Sequence, residues 1–434
     1  MRHPCLRTAV LLIISYSLII ILTSCSSTKQ IGKQANQYVL NDSNLAKAHI
    51  GICVYNATDN KYLYNYQSDK FFIPASNTKI ITCYAAMKHL GDSLVGLRYT
   101  IRGDGELYIE PSGDPTLLHP DFKNHPVFDF LRKYKTINVL KPVFTDEFMG
   151  MGWSWDDYKD DYSAQRNNLP IYGNVVRLTK EGSNVVVSPP TFPHSVTGSV
   201  AATGIKINRD WDKNEIIISE GKAKYLEVPF KPTMQDVFRV FHDTLHADIK
   251  PSYDSVQKAL SIIHSQPTDS LLKIMMHRSD NFYAEQSLLM ISNEMLGVMN
   301  DEKVIDTLLN SDYKDMPQHP QWADGSGLSR FNLFTPQDFV FVLNKMRTDY
   351  SWSRITTIFE TGGTGTLNNY YKTLKGKIFA KTGSLSNNIA LSGYLITPKN
   401  KTLIFSVLVN NHTAGATAVR RAVERFLIQV QAEN

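Results

Sequence analysis

Ser76 and Lys79 stand three residues apart in the stretch Pro74-Ala-Ser-Asn-Thr-Lys79. On a helix this spacing puts both heads on one face about a turn apart, so an uncharged Lys79 amine can take the proton of the Ser76 hydroxyl and leave a nucleophile. The pattern alone says little, because S-x-x-K also begins at Ser26, Ser219, Ser255, Ser270 and Ser311. Context separates them. Ser26 lies in a polar N-terminal stretch, Ser219 ends a strand-like run before Gly221, and the other three have no special turn ahead of the serine. Ser76 follows Pro74 and opens a helical pattern, where unpaired N–H groups and the helix dipole favour a developing negative charge.

A lysine that serves as base must be neutral at working pH, which calls for burial or a second cation close by. Lys381-Thr382-Gly383 is the sole K-T-G of the chain and closes the run Ile378-Phe379-Ala380. Lys381 can then point from a sheet edge into a cleft, while Gly383 lets a substrate backbone approach closely. Ser279-Asp280-Asn281 sits between two helical patterns and offers a hydroxyl for proton relay and an amide that both donates and accepts. Each has a plainer reading: a loop Ser-Asp-Asn is usually capping chemistry, and a strand-end lysine is usually solvated. A second S-x-N, Ser386-Asn387-Asn388, follows the K-T-G and stands in the wrong order.

The elements that must carry these residues are legible. His49 to Tyr55 and Lys61 to Gln67 flank the turn cluster Thr58-Asp59-Asn60-Lys61 and predict a β-hairpin. Ile80, Ile81, Tyr84, Ala85, Met87 and Leu90 recur at helical spacing from about Ser76 to Gly91. Lys377 to Thr382, Ile389 to Ile396 and Lys401 to Asn410 read as three strands, followed by an amphipathic helix from about Ala414 to Val430. Both chain ends therefore build one α/β sheet domain. Between residues 97 and 250 many glycines and prolines punctuate short runs such as Val185-Val186-Val187 and Ile216-Ile217-Ile218, which predicts an inserted, mainly β region. From Val256 to Leu296 the spacing of Leu260, Ile263, Leu271, Ile274, Met275, Ala284, Leu288 and Leu289 predicts helices.

Other chemistries fall away. There is no G-x-S-x-G elbow, no H-E-x-x-H zinc helix and no G-x-x-x-x-G-K-[ST] phosphate loop. His242 and His246 stand four apart without a third ligand in view, so no metal site is expected. A formal net charge of +5 over 434 residues gives no basic footprint for nucleic acid. With 42% hydrophobic and 20% charged residues the chain can bury a core, and its length calls for more than one domain.

The order S-x-x-K, S-D-N, K-T-G is the motif set of penicillin-recognising serine enzymes. Pro74-Ala-Ser-Asn-Thr-Lys79, Ser279-Asp-Asn281, Asp324-Gly-Ser-Gly-Leu-Ser329 and Lys381-Thr-Gly-Ser384 closely resemble the D-alanyl-D-alanine carboxypeptidase/endopeptidase family typified by the type-4 penicillin-binding protein. The long interval between Ser76 and Ser279 suits this subfamily, which carries a β-rich insertion, better than class A β-lactamases. Ser112-Gly-Asp-Pro-Thr-Leu117 and Gly152-Trp-Ser-Trp-Asp-Asp157 resemble parts of that insertion, and Pro190 to Ile249 matches least clearly.

The resemblance implies a β-lactamase/transpeptidase-like α+β catalytic domain, an antiparallel sheet flanked by helices, formed by residues 45–96 and 251–434 around an insertion at 97–250. It implies attack by Ser76 on the penultimate D-Ala carbonyl of a peptidoglycan stem peptide, Lys79 as base and Ser279 as proton donor to the leaving amine. Asn281 would bind the acyl-side amide, Lys381 and Thr382 the terminal carboxylate, and the N–H groups of Ser76 and Ser384 would form the oxyanion hole, a feature whose single donors are typically worth about 10²–10³ in rate. Asp156 or Asp157 would meet the amino end of a diaminopimelate side chain, with Asp324 and Arg330 as structural supports. β-Lactams would acylate Ser76, and no cofactor is implied. A β-lactamase and a non-catalytic cell-wall-binding lipoprotein are the rival readings.

The N-terminus carries a separate message. Arg2 and Arg7 precede an apolar run from Ala9 to Leu22, and Leu22-Thr-Ser-Cys25 resembles a bacterial lipobox. This predicts a signal peptide over 1–24, acylation of Cys25, a polar tether over 25–44, and an exported body held at a membrane of the bacterial envelope. Cys53 and Cys83 remain, in apolar surroundings that favour buried thiols; a bridge between them stays open.

Overall fold

His49–Asn56 and Lys61–Tyr66 pair as the expected antiparallel hairpin. In the computed structural model, which describes residues 28–103, 105–141, 144–197, 204–254 and 260–434, this hairpin completes a six-stranded sheet. Its order is Glu360–Thr361, Ile378–Leu385, Asn388–Ile396, Thr402–Asn410, His49–Asn56, Lys61–Tyr66, and every neighbouring pair is antiparallel. The chain divides into two compact units, and this sheet belongs to the one made of residues 28–77, 316–320 and 333–434.

One face of the sheet buries Ile52, Val54, Ile378, Ala380 and Phe405 against Val419, Phe426 and Leu427 of the helix Ala416–Glu433. Residues 28–35 are also helical, run on into Asn36–Leu40, and bury Ile31, Ala35 and Val39 in the same core. From residue 28 onward the expected tether is therefore folded structure. Its apolar side chains recur every four residues, which gives the segment a stripe to bury. The sheet's other side carries the helix Pro336–Asp349, started by reciprocal capping between Thr335 and Asp338. The predicted signal peptide and Cys25 lie outside the described residues. Among the described residues no helix is long and apolar enough to cross a membrane.

The second unit comprises residues 78–315 and 321–332. The helix Thr78–His89 is buried all round from Thr78 to Met87 and packs on Thr268–Arg278 and Asn281–Leu296. Three sheets occupy much of the rest: one of five strands, from Asp248–Ser252 through Thr136–Leu140, Leu107–Pro111 and Ser93–Ile101 to Ser261–Pro267, and two of three. Their shared core includes Leu107, Ile137, Val176, Phe230 and Phe241. Ser261–Pro267 corrects the helical expectation for this stretch: it is a strand antiparallel to Ser93–Ile101, and helix begins only at Thr268. The β-branched pair Ile262-Ile263 fits a pleated surface better than a helix. Cys53 and Cys83 are buried thiols.

Candidate active site

In the first unit the approach to Ser76 is pinned on both sides. Phe72 exchanges backbone hydrogen bonds with Phe334, and the buried Asn410 side chain accepts from Ile73 N–H at 2.7 Å and donates to its carbonyl at 3.0 Å. Ala75 then adopts φ +49°, a left-handed conformation that costs a residue with a Cβ about 1–3 kcal/mol. Ala75–Asn77 form one 3₁₀ turn that leads directly into the helix Thr78–His89. Asn77 donates to Ser392 Oγ at 2.7 Å, and Ser392 donates to Ser406 Oγ at 2.8 Å, so a buried polar chain ties the turn to two central strands. From Pro74 to Met87 only Ser76 is partly exposed. The strain and anchoring thus present one hydroxyl to solvent at the mouth of a helix.

The K-T-G strand Ile378–Leu385 passes against this turn. A Cβ at Gly383 would lie 2.6 Å from the Pro74 carbonyl oxygen and 3.1 Å from Asn77 N, so only glycine permits the approach. Glu360–Thr361 pairs with Phe379 and Ala380, and among the described residues no strand lies beside the outer edge of residues 382–385. Lys381 is fully buried, its Nζ donating to the Thr382 carbonyl at 2.8 Å. Burial lowers its pKa to about 8 against the opposing pull of Glu360. Glu360, also fully buried, is pushed up to about 7 by burial, opposed by Lys381 and by hydrogen bonds from Thr366 and Leu367. The Thr366 hydroxyl in turn lies 2.5 Å from the Thr382 hydroxyl. Ser384 is exposed and its hydroxyl accepts from Arg420 at 2.8 Å.

In the second unit the S-x-x-K lysine meets the S-D-N loop. Lys79 is fully buried, and its Nζ donates to Asn281 Oδ1 at 2.6 Å and to the Ser326 carbonyl at 2.7 Å. Ser279 ends the helix Thr268–Arg278 in a left-handed conformation (φ 60°, ψ 38°), and Asp280 caps the next helix by accepting from Tyr283 N–H. One tight corner between two helices therefore fixes Ser279 and makes Asn281 the first residue of Asn281–Leu296. The Asn281 amide also donates to the Tyr162 carbonyl at 2.9 Å.

Ser326 belongs to the loop Asp324-Gly-Ser-Gly-Leu-Ser329, whose organiser is Asp324, as its expected supporting role implies. The buried carboxylate accepts from Gly327 N–H, Ser329 N–H, the Asn332 amide and the Trp153 indole, at 2.6–3.0 Å. Thr82 holds the loop to the Lys79 helix by donating to the Gly325 carbonyl at 2.6 Å. Glu285, one turn after Asn281, accepts from Ser326 N–H at 2.7 Å and pairs with the buried Arg166, which also binds Asp301 and Asp146. Burial and the nearby Asp324 push the Glu285 carboxyl up to about 7. No motif marks Glu285 or Glu360; the signal for Glu285 is a charged residue on an otherwise buried helix, four after Asn281.

Beside Ser279–Asn281 opens a cleft of about 970 Å³, whose wall includes Asp160, Asp161, Tyr162, Arg177, Glu227 and Arg278. Asp156 lies on the short helix Trp155–Lys159, exposed and off this wall, and Asp157 accepts from the Tyr162 hydroxyl. The acidic residues facing the cleft are thus a few positions further along the chain than the expected Asp156. Arg330 is exposed.

The sequence profile of the D-Ala-D-Ala carboxypeptidase 3 (S13) family matches residues 33–430. D-alanyl-D-alanine carboxypeptidase DacB of Haemophilus influenzae is 22% identical to the chain, with 85% of this chain and 86% of the relative covered. The D-alanyl-D-alanine carboxypeptidase of an Actinomadura strain is 25% identical, with 89% and 82% covered. Among solved structures, penicillin binding protein 4 from Haemophilus influenzae superposes with a TM-score of 0.70 at 21% identity, covering 91% of this chain and 97% of that one. The family profile spans nearly the whole described chain and the superposition agrees with the expected fold, so the chain belongs to the D-Ala-D-Ala carboxypeptidase 3 (S13) family.

Proposed function

We propose that Ser76, Lys79, Ser279, Asn281, Lys381, Thr382 and Ser384 carry out the family's reaction, hydrolysis of the terminal D-Ala-D-Ala bond of peptidoglycan stem peptides through an acyl-enzyme that β-lactams also form. The supporting observation is the seat of Lys79. Two oxygens, of Asn281 and Ser326, accept its N–H bonds, and neither brings a full negative charge. A neutral amine held in direction by these two acceptors can act as a base, and Lys79 stands three residues after Ser76, the partly exposed residue of the stretch. Lys79 removes the proton of Ser76, whose Oγ attacks the penultimate D-Ala carbonyl. The N–H groups of Ser76 and Ser384 stabilise the oxyanion. Ser279 passes a proton to the leaving amine, C–N cleavage leaves the acyl group on Ser76, and water hydrolyses that ester.

Lys381 holds the substrate's terminal carboxylate together with Thr382, and the outer edge of residues 382–385 takes the peptide as an added strand. The roomy cleft beside Asn281 suits a cross-linked stem as well as a linear one, which adds endopeptidase activity, and we assign recognition of the side-chain amine to its acidic wall rather than to Asp156. We read residues 97–250 as an insertion in a catalytic domain formed by 45–96 and 251–434, and the N-terminal lipobox as an export and acylation signal that leaves the enzyme anchored through Cys25 on the periplasmic side of the envelope.

Ser76→Ala is expected to abolish both covalent labelling by a fluorescent penicillin and release of D-Ala from purified muropeptides. In the unsubstituted protein the penicillin label persists for minutes, the behaviour that separates a peptidase from a β-lactamase. Retention of either activity by Ser76→Ala removes that residue from its role.

A further inference from the structure

We infer that Glu360 is a positioning residue that sets, through Thr366, which way the Thr382 hydroxyl points, so that the arrival of a substrate carboxylate is coupled to uptake of one proton. The inference rests on the reading above that Lys381 and Thr382 seat that carboxylate. Its basis is an asymmetry between the two oxygens of a fully buried carboxyl group. Oε2 accepts two backbone N–H bonds, from Thr366 and Leu367, and is therefore an acceptor in either protonation state. Oε1 faces a hydroxyl, that of Thr366, which itself meets the hydroxyl of Thr382. A hydroxyl both donates and accepts, so this chain can run in either direction.

With Glu360 ionised, Thr366 must donate to Oε1 and so accepts from Thr382. The Thr382 proton is then turned inward, and its lone pairs face any incoming ligand. A carboxylate meets acceptor against acceptor. With Glu360 protonated, Oε1–H donates to Thr366, Thr366 donates to Thr382, and the Thr382 proton is released outward to the ligand. Moving between the states needs only a proton added at Thr382 Oγ and passed along two hydroxyls to Oε1. Thr382 is partly exposed, and a pocket of about 30 Å³ bordered by Thr366, Thr382 and Arg420 has room for one water. The chain is thus its own proton path.

The surrounding charges favour the same coupling. Lys381 on the adjacent strand is the cation that acts on Glu360. On the helix Ala416–Glu433, Arg420 bonds Ser384, and Arg421 is paired with Glu424. Ionised Glu360 offsets the Lys381 charge; protonated Glu360 removes that offset beside an outward-facing donor, which is the arrangement an anion prefers. An incoming carboxylate therefore favours the protonated form, and its affinity declines as pH rises through the titration of Glu360.

The test uses the full mature chain carrying Ser76→Ala, with acetyl-D-Ala-D-Ala as ligand at pH 7.5. Difference infrared spectroscopy is expected to show the carbonyl stretch of a protonated carboxyl group appearing on binding, and calorimetry in two buffers of different ionisation enthalpy to show uptake of up to one proton. Adding Glu360→Gln abolishes the infrared band, because its amide permanently mimics the protonated acid. Adding Thr366→Val leaves both charges in place but cuts the hydroxyl chain, and removes the band and weakens binding by about tenfold. Binding without the band overturns the inference, even if protons are taken up, because that uptake then belongs to Lys381. Failure of the dipeptide to bind Ser76→Ala at all, together with unaltered acylation of the Ser76-containing protein by penicillin after Lys381→Gln, overturns the carboxylate seat itself.

Discussion

Lys79 and Lys381 are both fully buried, yet they keep different company. Lys79 donates to an amide oxygen and a peptide carbonyl, two uncharged acceptors that fix an amine in direction. The carboxylate behind it, Glu285, is one peptide removed: it binds Ser326 N–H while the Ser326 carbonyl receives Lys79. Lys381 instead shares its surroundings with Glu360, whose charge counters the desolvation that lowers the lysine's pKa. The first arrangement suits a group that must give up and regain a proton. The second suits one that must stay charged to hold an anion.

The widest split between the two comes from the same substitution at each. Lys79→Gln is expected to lower the rate of acylation by penicillin by about 10²–10⁴, the usual worth of a positioned general base, with the protein still folded. Lys381→Gln is expected to act mainly on KM for D-Ala-D-Ala peptides, raising it about 10–100-fold, since a charge-assisted hydrogen bond is worth roughly 1.5–3 kcal/mol. Rapid-mix labelling and steady-state release of D-Ala measure the two. If both variants lose acylation alone, and equally, the division of labour is wrong.

The supports differ as well. Asp324→Asn keeps the shape of the carboxylate but not its capacity, since an amide oxygen cannot replace two oxygens accepting four N–H bonds. A loss of about 2–4 kcal/mol in urea unfolding is expected, with acylation slowed because the Ser326 carbonyl no longer directs Lys79. Gly383→Ala probes the other unit. Its methyl group meets the Pro74 carbonyl at 2.6 Å and must push the strand off the Ser76 turn. An expected cost of about 1–3 kcal/mol would accompany a loss of about 10–100-fold in acylation. A Gly383→Ala protein that labels at the parent rate contradicts the close approach.

How much of this was legible in the sequence depends on how local the signal is. Ser76, Lys79, Ser279 and Asn281 can be proposed from sequence because a turn of helix and a helix–helix corner are written in a few adjacent residues. The strands at His49, Asn388 and Thr402 were legible as apolar or β-branched runs set off by turn residues, and they are buried almost throughout. The parts played by Glu285 and Glu360, and by Ser326 within its quoted stretch, were not legible, because they act across segments distant in sequence, and one buried carboxyl looks like any surface glutamate in one dimension. Residues 28–40 were misread for a different reason: the polar side chains between Ile31, Ala35 and Val39 dominate the composition, while the four-residue spacing of the buried stripe is the informative feature. Around Asp156 the turn geometry was not legible, since a short 3₁₀ helix sends neighbouring aspartates in different directions and leaves Asp160 and Asp161, not Asp156, on the cleft wall.

Glu360 offers the finest test of the contrast. Its folded-state pKa, about 7, stands above the ordinary glutamate value, so the folded protein holds the proton over a range where the unfolded chain has lost it. Its contribution to stability is therefore greatest below the unfolded value, near 4.5, declines as pH rises towards 7, and stays low above that. Glu360→Gln removes this dependence. It also removes the charge that supports protonated Lys381, whose lowered pKa makes the variant gain stability as pH rises. Both effects have the same sign. The stability of Glu360→Gln relative to the parent is expected to improve between pH 5 and pH 8 by about 1–3 kcal/mol, read from urea midpoints at the two pH values. An unchanged difference would show that Glu360 is ionised throughout, held by Lys381 as an ordinary buried ion pair, and the distinction between a lysine facing neutral acceptors and one facing a titrating carboxyl group would lose its physical basis.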